Sequence, residues 1–204
     1  MTELEKMLAG KIYDCNDDVL VELREKAHKL NREYNNLDDS DERRAEILKA
    51  LIPNQGKGVY LQGPIQFDYG CFTTMGENVF ANFNFTVLDT CPVTIGDNVY
   101  FGPGCSILTP IHPMRYQDRF IFKNARGQYT DNEFGRPITI KDNCWIGGNV
   151  TICGGVTIGS GVVIGAGSVV VKDIPDNVFA AGNPCKVIRP ITEEDGLENH
   201  PELY

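Results

Sequence analysis

Residues 140–175 read Ile140-Lys-Asp-Asn-Cys-Trp, Ile146-Gly-Gly-Asn-Val-Thr, Ile152-Cys-Gly-Gly-Val-Thr, Ile158-Gly-Ser-Gly-Val-Val, Ile164-Gly-Ala-Gly-Ser-Val, Val170-Val-Lys-Asp-Ile-Pro. A branched aliphatic residue returns every six positions. A small or apolar residue follows four places later, at Cys144, Val150, Val156, Val162, Ser168 and Ile174. A helix would show a period of about 3.6 and a half-buried strand a period of about 2. Two inward positions per six, with glycine concentrated beside the first, predict a solenoid of short strands and tight corners instead. The β-branched residues fill the inside, and the glycines are expected at strained corners.

The same phase runs earlier, at Met75, Ala81 and Val87 and again at Ile95, Phe101 and Ile107, with Val79, Phe85, Val99 and Cys105 in the second inward slot. Two irregularities interrupt it. One is a shift of two residues around Thr90 to Pro92; the other is a stretch between Ile107 and Ile140 where no hexad can be followed. A solenoid expels insertions onto its surface, so residues 108–137 should form a projecting loop, and such loops usually carry function.

With 204 residues and 42% hydrophobic content, the chain suits one main domain with an ordinary core. The N-terminus is charged from Glu3 onward, and no apolar run approaches the roughly 20 residues of a membrane helix. The expectation is a cytosolic protein without signal peptide or membrane span. Seven cysteines, an odd number without a Cys-x-x-Cys pair, read as small buried thiols in a reducing compartment. The net charge of -9 is uneven: residues 192–204 carry five acids and no base, whereas residues 53–191 carry ten of each. A neutral solenoid argues against nucleic acid or an anionic membrane as partner, because those need a basic face.

Residues 1–56 read as a helical cap, residues 57–191 as the solenoid and residues 192–204 as an acidic tail. Thr2 with Glu5 forms a capping box, and Gly10 follows the helix it opens. Asn16 or Asp17 caps a second helix whose face carries Leu20, Leu23, Ala27, Leu30 and Tyr34. A third begins after Ser40, is expected to bury Ala45, Leu48 and Leu51, and stops at Pro53. These apolar stripes should cover the open first coil, since terminal repeats need caps. Residues 57–74 read as an irregular first coil. Residues 178–181 and 186–189 read as a strand and turn that leave the repeat.

Of three histidines, His28 falls outside the second helix's stripe and reads as solvated. His112 stands at the entrance of the inserted loop in Thr109-Pro110-Ile111-His112-Pro113, its backbone restricted by flanking prolines. Histidine is the commonest general base, so a rigidly held one beside an ejected loop is a catalytic candidate. Trp145 lies between inward slots and should point outward.

The hexad array, Asn82-Phe-Asn84 with Leu88-Asp89, the His112-Pro113 pair, the run from Asp142 to Gly147 and the ending Ala180-Ala-Gly-Asn-Pro-Cys-Lys-Val-Ile-Arg together resemble the maltose and galactoside O-acetyltransferases. The resemblance covers nearly the whole chain, including Met7-Leu-Ala-Gly10. It implies a left-handed parallel β-helix, against the usual right-handed rule, assembled as a homotrimer with acetyl-CoA between subunits and no metal. It further implies that His112 deprotonates a sugar hydroxyl for direct attack on the thioester, with amide donors near Gly148 facing the oxyanion. Acceptor-binding positions carried over are Asp68, Asn82, Asp89 and an N-terminal acid near Asp14 or Asp17, taken as Asp14. Donor positions are Gly148, Ala166, Lys172, Lys186 and Arg189, the cations set against CoA phosphates. Some relatives carry serine where this chain has Asp68 and a second acid where it has Thr90, which leaves the preferred sugar open.

A carbonic anhydrase on this solenoid would need three histidines for zinc, and the repeat region offers only His112. Two other readings stay open: an acetyltransferase for an antibiotic alcohol or serine, and a non-catalytic scaffold, since fold does not settle the acceptor.

Overall fold

In the computed structural model, which describes residues 1–204, the chain winds around a three-sided core. The first face carries Asn54–Gln55, Thr73–Met75, Val93–Ile95, Ile138–Ile140 and Thr157–Ile158. The second carries Tyr60–Leu61, Phe80–Ala81, Tyr100–Phe101, Trp145–Ile146, Val163–Ile164 and Val178–Ala181. On the third lie Ile65–Phe67, Phe85–Leu88, Ser106–Leu108, Thr151–Cys153 and Val169–Val170. Successive coils pair in parallel, and the hexad residues point inward: Ile140, Ile146, Ile152, Ile158 and Ile164 are all buried. Each such side chain contributes about 1.5–3 kcal/mol by leaving water.

Ile140 pairs with Ile158, eighteen positions on and therefore three hexads. In the first two coils the step is twenty, Gln55 with Met75 and Met75 with Ile95. The shift expected near Thr90 is thus one of a pair. Both additions, and the long insertion after Leu108, fall at one place: the third corner, where the chain passes from the third face back to the first.

The glycines serve two purposes: Gly104, Gly155, Gly161 and Gly167 take left-handed corner positions as expected, with φ of 74, 90, 66 and 73°, and those beside the inward residues allow close packing. A Cβ at Gly147 would stand 2.7 Å from the Ala166 amide nitrogen, so glycine beside the inward isoleucine permits close stacking of coils. The left-handed corner positions are shared with asparagine: Asn78, Asn98 and Asn143 have φ of 56, 54 and 61°. Asparagine tolerates this region. Here its amides also form a ladder, Asn78 to Asn98 and Asn98 to Asn143, at 3.1 Å each.

Helix α1 (Glu3–Leu8) carries the expected capping box, and the Asp17 carboxylate caps α2 (Asp18–Asn35) by accepting from the Val19 amide. With α3 (Arg43–Leu51), α2 closes the first coil: Ala27, Tyr34, Leu48 and Leu51 pack with Leu61, Ile65 and Phe67. The coil's open edge is satisfied by side-chain amides. Asn31 donates to the Phe67 carbonyl at 2.7 Å, and Asn35 both donates to and accepts from Ile65 at 2.8 Å. On α3, Ala45 is exposed and Arg44 is buried in its place, donating to the Leu61 and Gln62 carbonyls and lying 4.4 Å over the Tyr34 ring.

Residues 178–181 do not leave the repeat. They add a parallel strand to the second face, and Lys186–Pro190 then turns back antiparallel upon it. Trp145 points outward and is exposed. All seven cysteines are free; Cys105 and Cys144 are buried, their thiols donating to the Gly147 and Gly159 carbonyls at 3.0 Å. No helix is long and apolar enough to cross a membrane.

The third corner is held by Asp89, which is fully buried and accepts from the Tyr69 amide at 2.9 Å, the Gly70 amide at 3.1 Å and the Thr73 hydroxyl at 2.9 Å. Burial pushes its carboxyl up, and these donors pull it back. Replacing Asp89 by alanine strands three buried donors and should cost about 2–4 kcal/mol in urea unfolding. Ile152→Ala, which opens a void inside a regular coil, should cost about 2–5 kcal/mol. Wild-type stability in either variant would contradict the roles given to corner and core.

Candidate active site

Three coils stack their third corners in a column. Asp68, Asp89 and Thr109 each directly follow a third-face strand, and the Thr109 hydroxyl meets Thr90 Oγ1 at 3.1 Å and accepts from the Cys91 amide at 3.0 Å. From Thr109 the chain leaves as an arm. Pro110–Ile111 pairs antiparallel with Phe134–Gly135, and Phe122–Lys123 with Tyr129–Thr130. Because Ile111 faces Phe134, the next positions outward bring His112 opposite Glu133.

His112 is half-exposed at the base of this arm. Its Nδ1 lies 3.1 Å from the Asn132 carbonyl oxygen, which can only accept, so in the neutral imidazole Nδ1 carries the proton and Nε2 holds the lone pair. The Asp131 carboxylate lies 3.4 Å from Nδ1, and Glu133 Oε2 lies 3.5 Å from Nε2. Glu133 Oε1 accepts from the Tyr13 hydroxyl, and Tyr13 also bridges Glu133 through the backbone. Burial pushes the Glu133 carboxyl up, against the Tyr13 bond and the nearby His112 charge. Burial, with the Glu133 carboxylate beside it, raises Tyr13 as well, so the phenol keeps its proton.

The other acids carried over divide. Asp68 stands at the top of the column, its Oδ1 3.3 Å from Nε2 of His28, so His28 is partnered and not simply solvated. Beside it, burial pushes the Tyr69 phenol up to about 12 despite Arg24, which donates to it at 3.1 Å. Asp89 lies in the same column, but its oxygens are consumed inside the corner. Asp14 clasps the N-terminal segment to the arm, accepting from the Asn124 amide group at 2.7 Å. Burial raises its carboxyl, and the bonds from Asn16 and Asn124 outweigh that, leaving it below the usual range. Arg126 strengthens this clasp by donating to Asp18 at 2.8 Å, and Asn16 by donating to the Tyr129 carbonyl at 3.0 Å.

Asn82 lies elsewhere. It follows Phe80–Ala81 at the second corner, between second and third faces, and its side-chain oxygen accepts from the Phe83 amide at 2.8 Å. Gly148 and Ala166 follow second-face strands in the same way, so they share that corner with Asn82 and not the His112 corner. Ala166 is exposed, and a Cβ at Gly148 would meet Pro103 at 3.3 Å, leaving a narrow backbone shelf. Lys172 follows the last third-face strand and Lys186 opens the terminal strand, both exposed. Arg189 is engaged within the chain: its guanidinium donates to both Asp195 oxygens at 2.8 and 2.6 Å, and holds that carboxyl at about 2.

Tyr13 and Glu133 were not singled out from the sequence. The signal that would have found Glu133 is the pairing of the two ends of the arm, which no hexad count supplies.

The maltose acetyltransferase hexapeptide capping motif matches residues 6–56, and the bacterial transferase hexapeptide of six repeats matches residues 137–172. The galactoside O-acetyltransferase of Escherichia coli K12 is 40% identical over 196 residues, covering 96% of this chain and 92% of that protein. A crystal structure of a maltose O-acetyltransferase from Clostridium difficile 630 superposes with a TM-score of 0.85 at 48% identity, over 95% of this chain and 99% of the other. A galactoside acetyltransferase solved in complex with coenzyme A superposes with a TM-score of 0.87 at 39% identity, over 96% and 94% of the two chains. A capping motif, a hexad solenoid and relatives of this identity along nearly the full length make the chain a member of the hexapeptide-repeat acetyltransferases, in the maltose and galactoside O-acetyltransferase family.

Proposed function

We propose that this acetyltransferase moves the acetyl group of acetyl-CoA to a hydroxyl of a mono- or disaccharide of the maltose, glucose or galactoside type, with His112 as general base. The observation that carries the reading is the placement of His112: Nδ1 lies 3.1 Å from the Asn132 carbonyl, which makes Nε2 the basic atom of the neutral ring at an accessible corner. In the proposed step Nε2 takes the acceptor hydroxyl's proton while that oxygen bonds to the thioester carbonyl carbon. Collapse then breaks the carbon–sulfur bond, and the proton passes from Nε2 to the departing sulfur. Amide donors near Gly148 would face the oxyanion.

Acceptor groups suit a polyol. Asp131 and Glu133 offer carboxylate oxygens beside His112, Asp68 stands in the same column of corners against His28, and sugar hydroxyls donate to such groups. Asn82 is proposed as a further contact, and Asp14 and Asp89 as supports that shape the corner. On the donor side, the Gly148 and Ala166 shelf fits a thin pantetheine chain, and Lys172 and Lys186 fit its phosphates. Arg189 would join them by exchanging Asp195 for phosphate.

The two sets lie on different corners of one chain. A homotrimer resolves this, the second corner of one copy facing the third corner of the next. An exposed strip on the second face, Tyr60, Tyr100 and Trp145, is the kind of apolar surface that a second copy covers.

Thiol release from acetyl-CoA, followed over maltose, glucose, methyl galactoside, an antibiotic alcohol and serine, tests the acceptor. Activity confined to the last two would overturn the sugar assignment. His112→Ala should lower kcat by about 100 to 10,000-fold with acetyl-CoA affinity and assembly unchanged; near-wild-type turnover would exclude it as the base.

Sedimentation should give about three times the 22.6 kDa chain mass. Mixed trimers of His112→Ala and Ala166→Trp, each inactive alone, should regain activity at roughly a quarter of their interfaces. Absence of any recovery in verified mixed trimers would place the whole site within one subunit.

A further inference from the structure

Resting on the assignment of His112 as base, we propose that Glu133 is its positioning residue: it keeps a carboxylate beside Nε2 to stabilise the imidazolium formed during transfer, and Tyr13 of the N-terminal segment keeps Glu133 in place. Arm pairing sets the two side chains opposite one another. At 3.5 Å from Nε2, Oε2 lies beyond an ordinary hydrogen bond, so it leaves the lone pair free for the acceptor hydroxyl while remaining close enough to act on the charge that follows. Glu133 neither gains nor loses a proton in this step. The proton goes from hydroxyl to Nε2 and then to sulfur.

The surroundings reserve this task for Glu133. Asp131, also on the arm, faces Nδ1. Asp68 of the first coil is taken by His28 of α2, and Tyr69 by Arg24 of the same helix. From the N-terminal segment come Cys15, whose sulfur lies 3.7 Å from Thr130 Oγ1, and Tyr13, which spends its hydroxyl on Glu133 Oε1. Tyr13 is 4% exposed, and this bond ties the helical cap directly to the reacting corner.

The test uses Glu133→Gln, Glu133→Asp and Tyr13→Phe, assayed as verified trimers with acetyl-CoA and the best of maltose, glucose and methyl galactoside. Glu133→Gln should lower kcat by about tenfold to a hundredfold, less than loss of the base, with KM for acetyl-CoA within about twofold. A neighbouring carboxylate favours protonated imidazole, so its removal means that lower pH is needed to inactivate the base. The acidic limb of the rate profile should therefore move to lower pH by about one unit. Glu133→Asp should retain the limb, and Tyr13→Phe, which deletes one oxygen and keeps the ring, should lower kcat in the same sense by a smaller factor. In a His112→Ala background Glu133→Gln should add no further loss.

A merely structural role would leave the limb in place and carry its full cost into the His112→Ala background; either result overturns the proposal. So does a Tyr13→Phe enzyme with wild-type kcat and limb, should Glu133→Gln fail to fold. A fully active His112→Ala enzyme would remove the base itself, and this role with it. A severely impaired His112→Ala enzyme beside a neutral Glu133→Gln would remove this role alone.

Discussion

Parallel pairing between successive coils constrains everything else in this molecule. Each coil hands its backbone amides to the next, at a step of eighteen residues where the coils are regular, so extra residues cannot be absorbed within a face without breaking the ladder. They can leave only at corners. This chain uses one corner repeatedly, for two additions of two residues and then for the whole arm. The resulting column of irregular backbone is where buried Asp89 is needed, where polar side chains gather, and where His112 emerges. The proposed base stands at the third corner because that is where the ladder has slack.

The same pairing leaves two open ends, which the chain closes differently. At the C-terminal end Lys186–Pro190 folds back and pairs with the last second-face strand. At the N-terminal end Asn31, Asn35 and Arg44 supply from helices the donors and acceptors that a preceding coil would have offered. That solution obliges α2 to lie along the first coil, and it brings Arg24, His28 and the segment before it to the third corner. Capping the solenoid and building the corner that holds His112 are consequences of one docking geometry.

The solenoid was legible because its signal is periodic: six residues per strand and corner, with side-chain type dictated by inward or outward direction. The corner irregularities were partly legible, Thr90 to Pro92 as a break in phase, whereas the matching break after Phe67 was hidden by an irregular first coil. His112 stands out as a candidate by its rarity and its place at a loop entrance. Glu133 does not, because its proximity depends on how a loop of nearly thirty residues closes, and antiparallel pairing across such a distance leaves no local periodicity. The burial of Arg44 in place of Ala45 was hidden from the sequence for a related reason. A guanidinium can be buried when carbonyls and an aromatic face receive it, and those partners come from Tyr34 of α2 and from the first coil.

Charge is distributed along the solenoid axis in a way that bears on how a long donor would lie. Asp68, Asp131 and Glu133 gather around the corner of the first three coils, and Asp14 and Asp18 stand on the segment clasped to them. Lys172, Lys186 and Arg189 belong to the last turns. A molecule with a neutral reacting group at one end and phosphates at the other would meet repulsion if its phosphates approached the acidic corner; toward the C-terminal coils it would meet these three cations individually, since Asp173, Asp176 and the five acids of residues 192–204 outnumber them there. The Arg189–Asp195 pair does not oppose this orientation. It is exposed at the surface, where an ion pair is held weakly and salt screens it further. Phosphate would replace one carboxylate partner by a more highly charged one, so the contact with Asp195 is compatible with the donor-binding role proposed for Arg189.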